Sequence, residues 1–265
     1  MLQQSMPDPV KDDAITVIAI SSLAYIIQDV AHEGLGHAVV AWASGARHIT
    51  ISTVALQSDI GTRWISASGT LVNLVFAAIF WFLLRALPHV KPATRYFFVL
   101  NLAAALFTGT GYFFYSGVAN FGDWAAVIAG MEPHWAWRVG LVVLGAITYY
   151  ASMLLVARQF QSFQGAGGSR IRRLSWTPYI TEGVVSLLAG LLNPAGLFYV
   201  LVSALPSTLG ANAGLVCLPF VMQGWGARKT EPVGPIGRSV AWIVAGGVAS
   251  GLFILVLGRG LTFSR

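Results

Sequence analysis

The chain has 265 residues, of which 56% are hydrophobic and only 10% charged, and its mean hydropathy is +0.70. A soluble domain carries about 25% charged residues, so this chain has too little charge to cover a water-facing surface. A single cysteine, Cys217, excludes an internal disulfide and a paired-cysteine metal site. These properties predict an all-α polytopic protein, integral to a lipid bilayer and most simply to the cell membrane.

The positive net charge of +6 does not indicate a nucleic-acid partner. The basic residues lie in short loops between apolar runs, as the positive-inside rule requires, and no basic stripe is interleaved with aromatic side chains. We therefore expect no nucleic-acid binding. The basic residues concentrate around 85–95, 158–173 and 228–238, which would share one side of the membrane, and this predicts a cytoplasmic N-terminus.

Apolar runs long enough to cross a bilayer recur along the chain. A spanning helix needs about 20 residues, and the qualifying runs predict six to seven transmembrane helices, at 14–43, 66–84, 96–118, 139–157, 183–204, 239–258 and, more weakly, 209–227. The segment HITISTVALQSDIGTRWIS, after the first helix, is too polar to cross. Its β-branched residues predict a short hairpin or edge strand beside the membrane.

The first predicted helix carries four ionisable side chains within nine residues: Asp29, His32, Glu33 and His37. Burying such groups in a membrane is costly, so they indicate a functional site. In the motif H-E-x-x-H, two histidines one turn apart hold a metal and the glutamate acts as general base. Here the string is HEGLGH, in which the two histidines are five positions apart instead of four.

On a regular helix that spacing turns the two imidazoles about 140° apart, too far to share one ion. A π-bulge would return them to one face, and Gly34 and Gly36 would ease the distortion. A shared ion therefore requires a π-bulge or a break between Ile27 and Val40. The longer spacing resembles the HELLGH-type zinc motif of the dipeptidyl peptidase III family, although the rest of the chain does not resemble that soluble enzyme.

Other interpretations of the cluster remain open at this stage. On an undistorted helix, Asp29, Glu33 and His37 follow each other at intervals of four residues and share one face. They could then bind a different metal, form a polar relay without metal, or simply pack in the interior. A di-iron site is excluded, because it needs more histidines on several helices than the five in this chain.

Three stretches resemble the site-2-protease family of intramembrane zinc metalloproteases, over roughly residues 25–125. GHAVVAWASGARHITIS resembles the segment after that family's HExxH. SASGTLVNLVFAAIF resembles its second core helix, with Gly69 and Asn73 matching A-G-P-x-x-N and Thr70 replacing the proline. YSGVANFGDWAAV places Asp123 where the family brings an aspartate ligand, although Asp123 also suits a helix N-cap.

The resemblance implies a zinc metalloendopeptidase with a three-helix core at 14–125 and accessory helices at 136–265. His32, His37 and Asp123 would hold Zn²⁺, and Glu33 would be the general base. Asn73 is either an oxyanion donor facing the site or an interhelical hydrogen-bonding residue.

Further expectations concern the support of the metal ligands, the entry of water and the binding of substrate. Asp29 would orient a ligating imidazole, and glycines 109 and 111 would mark loosely packed points where water enters. The substrate would be a membrane-protein or peptide segment, bound along an exposed strand edge near 49–56. The competing interpretation is a non-proteolytic transporter or assembly factor, favoured by the helix break at Asn193 and Pro194.

Overall fold

The computed structural model describes residues 11–164, 169–194, 196, 198, 200–225 and 233–265. Within those ranges the chain forms eight helices and a small three-stranded sheet, which confirms the predicted all-α polytopic fold. The helices are α1 (Ala14–Ala43), α2 (Arg63–Ala86), α3 (Pro92–Ala119), α4 (Asp123–Val127), α5 (His134–Phe160), α6 (Ser169–Leu191), α7 (Val200–Val221) and α8 (Val240–Leu255).

Six of these helices, α1, α2, α3, α5, α7 and α8, are long and apolar enough to cross a membrane. This agrees with the predicted number of spans. The predicted span at 183–204 is wrong in its bounds, because α6 begins at Ser169 and ends at Leu191, just before Asn193 and Pro194. Proline disfavours the helical conformation of the residue before it. The weaker prediction, 209–227, corresponds to α7. Its last two residues, and the basic residues at 228 and 229, lie outside the described ranges.

Helix α1 is not a regular helix. It is α-helical from Ala14 to Val30, π-helical from Ala31 to Ala38 and α-helical again from Val39 to Ala43. The π segment coincides with the HEGLGH string and confirms the distortion expected from the histidine spacing. At this point α1 lies directly against α2, since a Cβ on Gly36 would be 2.7 Å from the Cα of Gly69.

The polar segment after α1 forms strands β1 (His48–Ile51) and β2 (Gln57–Ser58), as predicted. A third strand, β3 (Leu261–Ser264), pairs antiparallel with the other edge of β1. The expectation of a free strand edge is therefore wrong for β1, which has a hydrogen-bonded neighbour on both sides. The sequence did not indicate β3, because its pairing partner lies more than 200 residues away.

Helix α3 lies at the centre of the bundle and packs against α1, α2 and α5. Its buried side chains, including Leu100 and Phe107, belong to the main apolar core. Helix α8 packs closely on α1, where Gly246 faces the backbone of Ala19. The helices after residue 136 are therefore in direct contact with the segment predicted to form the core, and this packing fixes the position of the HEGLGH segment.

Candidate metal centre

The π segment of α1 brings the two predicted histidine ligands together. The Nε2 atoms of His32 and His37 are 3.1 Å apart, and the rings meet edge to face with centroids 4.7 Å apart. Both side chains are buried. A regular helix would separate them around its axis, so the π geometry creates this pair.

The third predicted ligand, Asp123, reaches the same point from α4. Its Oδ2 lies 3.2 Å from Nε2 of His32 and 3.3 Å from Nε2 of His37. The chain enters α4 through Gly122, whose φ of 84° favours glycine. The indole N–H of Trp124 donates to Oγ1 of Thr70 at 3.0 Å. This bond ties α4 to α2 and thereby positions Asp123.

The orientation of His37 leaves its Nε2 free to bind a cation. Its Nδ1 lies 2.6 Å from the carbonyl oxygen of Ile65. A carbonyl only accepts, so Nδ1 carries the proton and donates. Such a bond to the second nitrogen is typical of metal-binding histidines. Burial acts to raise the pKa of Asp123, but the imidazoles of His37 and His32 outweigh it and hold that pKa below its ordinary value.

The three converging atoms have the spacing of one face of a tetrahedron. Zinc bonds of 2.0–2.1 Å to nitrogen and oxygen imply ligand separations of about 3.3–3.4 Å in tetrahedral geometry. The observed separations are 3.1, 3.2 and 3.3 Å. Separations this short require either a proton on one of the imidazole Nε2 atoms or a cation between the three atoms. The donor set, two imidazoles and one carboxylate, fits a tetrahedral site with a fourth position open.

Glu33 lies beside this triad. One carboxylate oxygen of Glu33 and one ring nitrogen of each histidine lie within 4.8 Å of one another. Glu33 is buried, and together with His37 and Asp123 it lines a cleft of about 200 Å³. A carboxylate at this position can exchange a proton with a molecule held in the cleft.

Two further predicted residues, Asn73 and Asp29, make no hydrogen bond to the three converging side chains in the described part of the chain. Asn73 is one turn beyond Gly69 on α2 and fully buried, and its amide finds no hydrogen-bond partner among the described residues. Asp29 lies beside His32 at a small cavity. Asp29, expected to orient a ligating imidazole, makes no hydrogen bond to either ring in the described part of the chain: His37 is held by Ile65, and Nδ1 of His32 has no partner there.

The structure also assigns parts to residues that the sequence did not single out. A Cβ on Gly69 would lie 2.6 Å from Nε2 of both histidines, so only glycine leaves room for this arrangement. The ring of Tyr112 stacks on that of His32, with centroids 5.2 Å apart. Gly69 could have been identified from the sequence by its match to the family pattern, whereas no sequence pattern indicates Tyr112 or the Ile65 carbonyl.

An apolar cavity of about 470 Å³ lies next to the cleft, between α3, α5 and α7. Tyr112 and Tyr115 line both. Of the two glycines expected to mark water entry, Gly111 lines this cavity, whereas a Cβ on Gly109 would meet the side chain of Leu74 at 3.1 Å. Gly109 is therefore a packing position, and the space next to Gly111 is apolar.

Comparison of the chain with models of protein families, with curated proteins and with solved structures found no match. The fold and the composition define a multi-pass membrane protein.

Proposed function

We propose that this protein is an intramembrane zinc metallopeptidase that hydrolyses peptide bonds in or near transmembrane segments. The observation that carries the proposal is the triangle formed by Nε2 of His32, Nε2 of His37 and Oδ2 of Asp123, with edges of 3.1–3.3 Å beside the Glu33 carboxyl. Two histidines, a carboxylate and an adjacent glutamate are the components of a hydrolytic zinc site.

His32, His37 and Asp123 would hold the zinc ion. When bound, zinc supplies a Lewis acid that polarises a peptide carbonyl and lowers the pKa of water toward 7. Nδ1–H of His37 stays bonded to the carbonyl of Ile65, which fixes the orientation of the ring with Nε2 aimed at the ion.

Glu33 performs the proton transfers. Its carboxylate accepts a proton from the attacking water and then delivers it to the departing peptide nitrogen. Both steps take place in the cleft that Glu33 lines with His37 and Asp123. Burial of Glu33 excludes bulk water, which strengthens its interactions with the reacting groups. Asn73, whose buried amide has no partner among the described residues, is proposed as a donor to the developing oxyanion.

The substrate would be an apolar peptide segment entering from the bilayer. The cleft has a volume of about 200 Å³, which is room for only a few side chains of a bound peptide. The apolar cavity of about 470 Å³ lies next to it, and Tyr112 and Tyr115 line both spaces. An apolar side chain seated there would leave the scissile bond near Glu33. Peptide backbones are hydrolysed in extended form, so the segment must unwind locally in the cleft.

The test combines metal analysis with peptide cleavage on the purified full-length chain. We expect about one zinc per chain in the wild type and in Glu33→Gln, because the amide keeps the shape but cannot accept the proton. His37→Ala should lose the metal, since two ligands rarely hold zinc against water. His48→Ala is the matched control, because that histidine is exposed and bonded to Ser264. Retention of a full equivalent of zinc by His37→Ala contradicts the proposal.

The same samples distinguish the proposed peptidase from the competing function, a transporter. A transporter would move solute into liposomes at a rate that survives Glu33→Gln, whereas the peptidase would lose cleavage and show no flux. The break at Asn193 and Pro194 that suggested a transporter lies between two helices, α6 and α7.

A further inference from the structure

The apolar cavity between α3, α5 and α7 has the size and the lining of a binding pocket. Its volume is about 470 Å³. Pockets that hold organic ligands span about 300–1,000 Å³ and are lined mainly by hydrophobic and aromatic side chains. No charged side chain is among the described residues that line this cavity, and its largest lining side chains are five aromatic rings and one thioether. They are Tyr112, Phe114, Tyr115, Tyr149, Tyr150 and Met153.

Two of the tyrosines have their hydroxyl groups bonded to the backbone of α7. The hydroxyl of Tyr115 donates to the carbonyl oxygen of Val202 at 2.9 Å. The hydroxyl of Tyr149 lies 2.5 Å from the carbonyl oxygen of Ala211, to which it donates, and accepts from the N–H of Gly214 at 2.8 Å. Because these hydroxyls are engaged by backbone groups, the two side chains contribute ring surface to the cavity and no free O–H donor.

Close helix packing holds the aromatic walls in place. A Cβ on Gly145 would overlap the backbone of Phe114, and a Cβ on Gly117 would lie 2.8 Å from the carbonyl oxygen of Arg138. Helices α3 and α5 are therefore in backbone contact beside the cavity, and the two tyrosine hydroxyls fasten both helices to α7. A pocket whose walls are ordered before the ligand enters discriminates among ligands by their shape.

The cavity adjoins the place where the proposed reaction occurs. Tyr112 and Tyr115 line both the cavity and the cleft that Glu33 and Asp123 also line. The ring of Tyr112 stacks on that of His32, with centroids 5.2 Å apart. Consecutive Cα atoms of a peptide are only about 3.8 Å apart. A substrate with its scissile bond in the cleft therefore has a neighbouring side chain within reach of the cavity.

The surrounding bilayer decides which kind of apolar group gains from entering. An aliphatic side chain or a lipid acyl chain that moves from the bilayer into the cavity gains no hydrophobic free energy, because lipid tails are as apolar as leucine. A preference must therefore come from packing contacts. Aromatic rings attract each other beyond the effect of the area they bury, and a thioether sulfur such as that of Met153 adds a favourable contact with a ring.

We infer that this cavity is the specificity pocket of the site and selects substrates that carry an aromatic side chain next to the scissile bond. The place of the pocket beside a scissile bond rests on the proposed function, whereas its preference for an aromatic ring does not. Ala146 of α5 is the specificity-determining position. It lines the cavity and is exposed, so a larger side chain there would occupy the space that the ring of the substrate needs.

The first test measures binding to the full-length Glu33→Gln protein in phosphatidylcholine nanodiscs. The probes are leucine–alanine peptides of about 20 residues, long enough to span the bilayer, with one central phenylalanine, cyclohexylalanine or leucine. Cyclohexylalanine has a ring of similar size without π electrons. We expect the phenylalanine peptide to bind about tenfold more tightly than the other two, as two aromatic ring contacts would produce. Ala146→Leu, introduced into the same protein, should remove this difference.

Ala151→Leu is the matched control, because Ala151 is also an exposed alanine of α5 but does not line the cavity. It should keep the tenfold preference. Tyr150→Leu serves as a second variant if Ala146→Leu does not fold, and should reduce the preference about threefold by removing one ring. Equal binding of all three peptides by the Glu33→Gln protein overturns the inference and leaves lipid acyl chains as the occupants of the cavity.

The second test maps cleavage by the wild-type protein. The phenylalanine is moved along the peptide two residues at a time, and mass spectrometry locates each cut. We expect the cut to move with the phenylalanine and to stay at a fixed distance from it. Cuts that ignore its position, with zinc retained, contradict the present inference alone. Failure of the zinc-loaded protein to cut any peptide contradicts the proposed function, and the binding preference then decides by itself whether the pocket selects aromatic rings.

Discussion

Gly69 offers the sharpest perturbation of the metal centre that leaves every proposed ligand in place. Its missing side chain lies where the two imidazole tips meet, and a Cβ there would be 2.6 Å from both Nε2 atoms. In Gly69→Ala, the imidazoles must move by at least about 0.8 Å to restore an ordinary 3.4 Å contact. Metal sites tolerate deviations of about 0.2 Å in ligand distance.

The displacement is about four times that tolerance. We therefore expect zinc affinity to fall at least about 100-fold, which is the upper end of the loss seen when residues that support a metal ligand are mutated. That fold-change corresponds to about 2.7 kcal/mol. Competition with a chromophoric chelator measures it, and size-exclusion chromatography with thermal unfolding verifies that the variant folds.

Gly34→Ala is the matched control for this experiment. Gly34 lies in the same π segment, but a Cβ at that position meets no atom within 4 Å. Alanine should be accommodated there without loss of zinc, and it is favoured over glycine in helices by about 1 kcal/mol. Wild-type zinc affinity in Gly69→Ala would refute the argument, because it would mean that the imidazoles do not converge above Gly69.

Two other perturbations test the supports of the site and of the fold. Thr70→Val removes the acceptor for the Trp124 indole and should lower zinc affinity about tenfold in the same titration. Thr110→Val is its control, because the Thr110 hydroxyl donates to the carbonyl of Leu106, one turn back on its own helix, and has no other partner among the described residues. Asp12→Asn should destabilise the protein by about 3–5 kcal/mol in thermal or denaturant unfolding, because it breaks a buried ion pair with Arg170. Burial acts to raise the pKa of Asp12, but the Arg170 hydrogen bond and charge lower it below the ordinary value. The difference from the wild type should therefore be full above the ordinary aspartate pKa and shrink as the pH falls through the lowered one. A difference that stays constant with pH would contradict the assignment.

The sequence predicted the features that depend on local chemistry. The number of spans followed from the length of apolar runs, and the five-residue separation of His32 and His37 predicted a π segment on the condition that both bind one ion. Asp123 was placed near them by a resemblance and not by any pattern of its own. In each case the relevant information lay within a short stretch of chain.

Features that depend on contacts between distant segments could not be predicted. The bond from Ile65 to His37 and the closeness of Gly69 to both imidazoles need the relative position of α1 and α2. The predicted bounds of the 183–204 span were wrong for a different reason: the span was drawn through the Asn193–Pro194 break, although the sequence itself shows that break. The apolar cavity beside the cleft requires α3, α5 and α7 to be assembled.

The pairing of β3 with β1 has a consequence for the order in which the molecule is completed. His48 and Ser264, which are hydrogen-bonded across these strands, are separated by 216 residues. All the helices from α2 to α8 lie between them, so this pair of strands can form only after those helices have been synthesised. Contacts of such long sequence separation form slowly. The small sheet beside the membrane is therefore a late step in biogenesis, and its formation marks a chain whose helices have already reached their places.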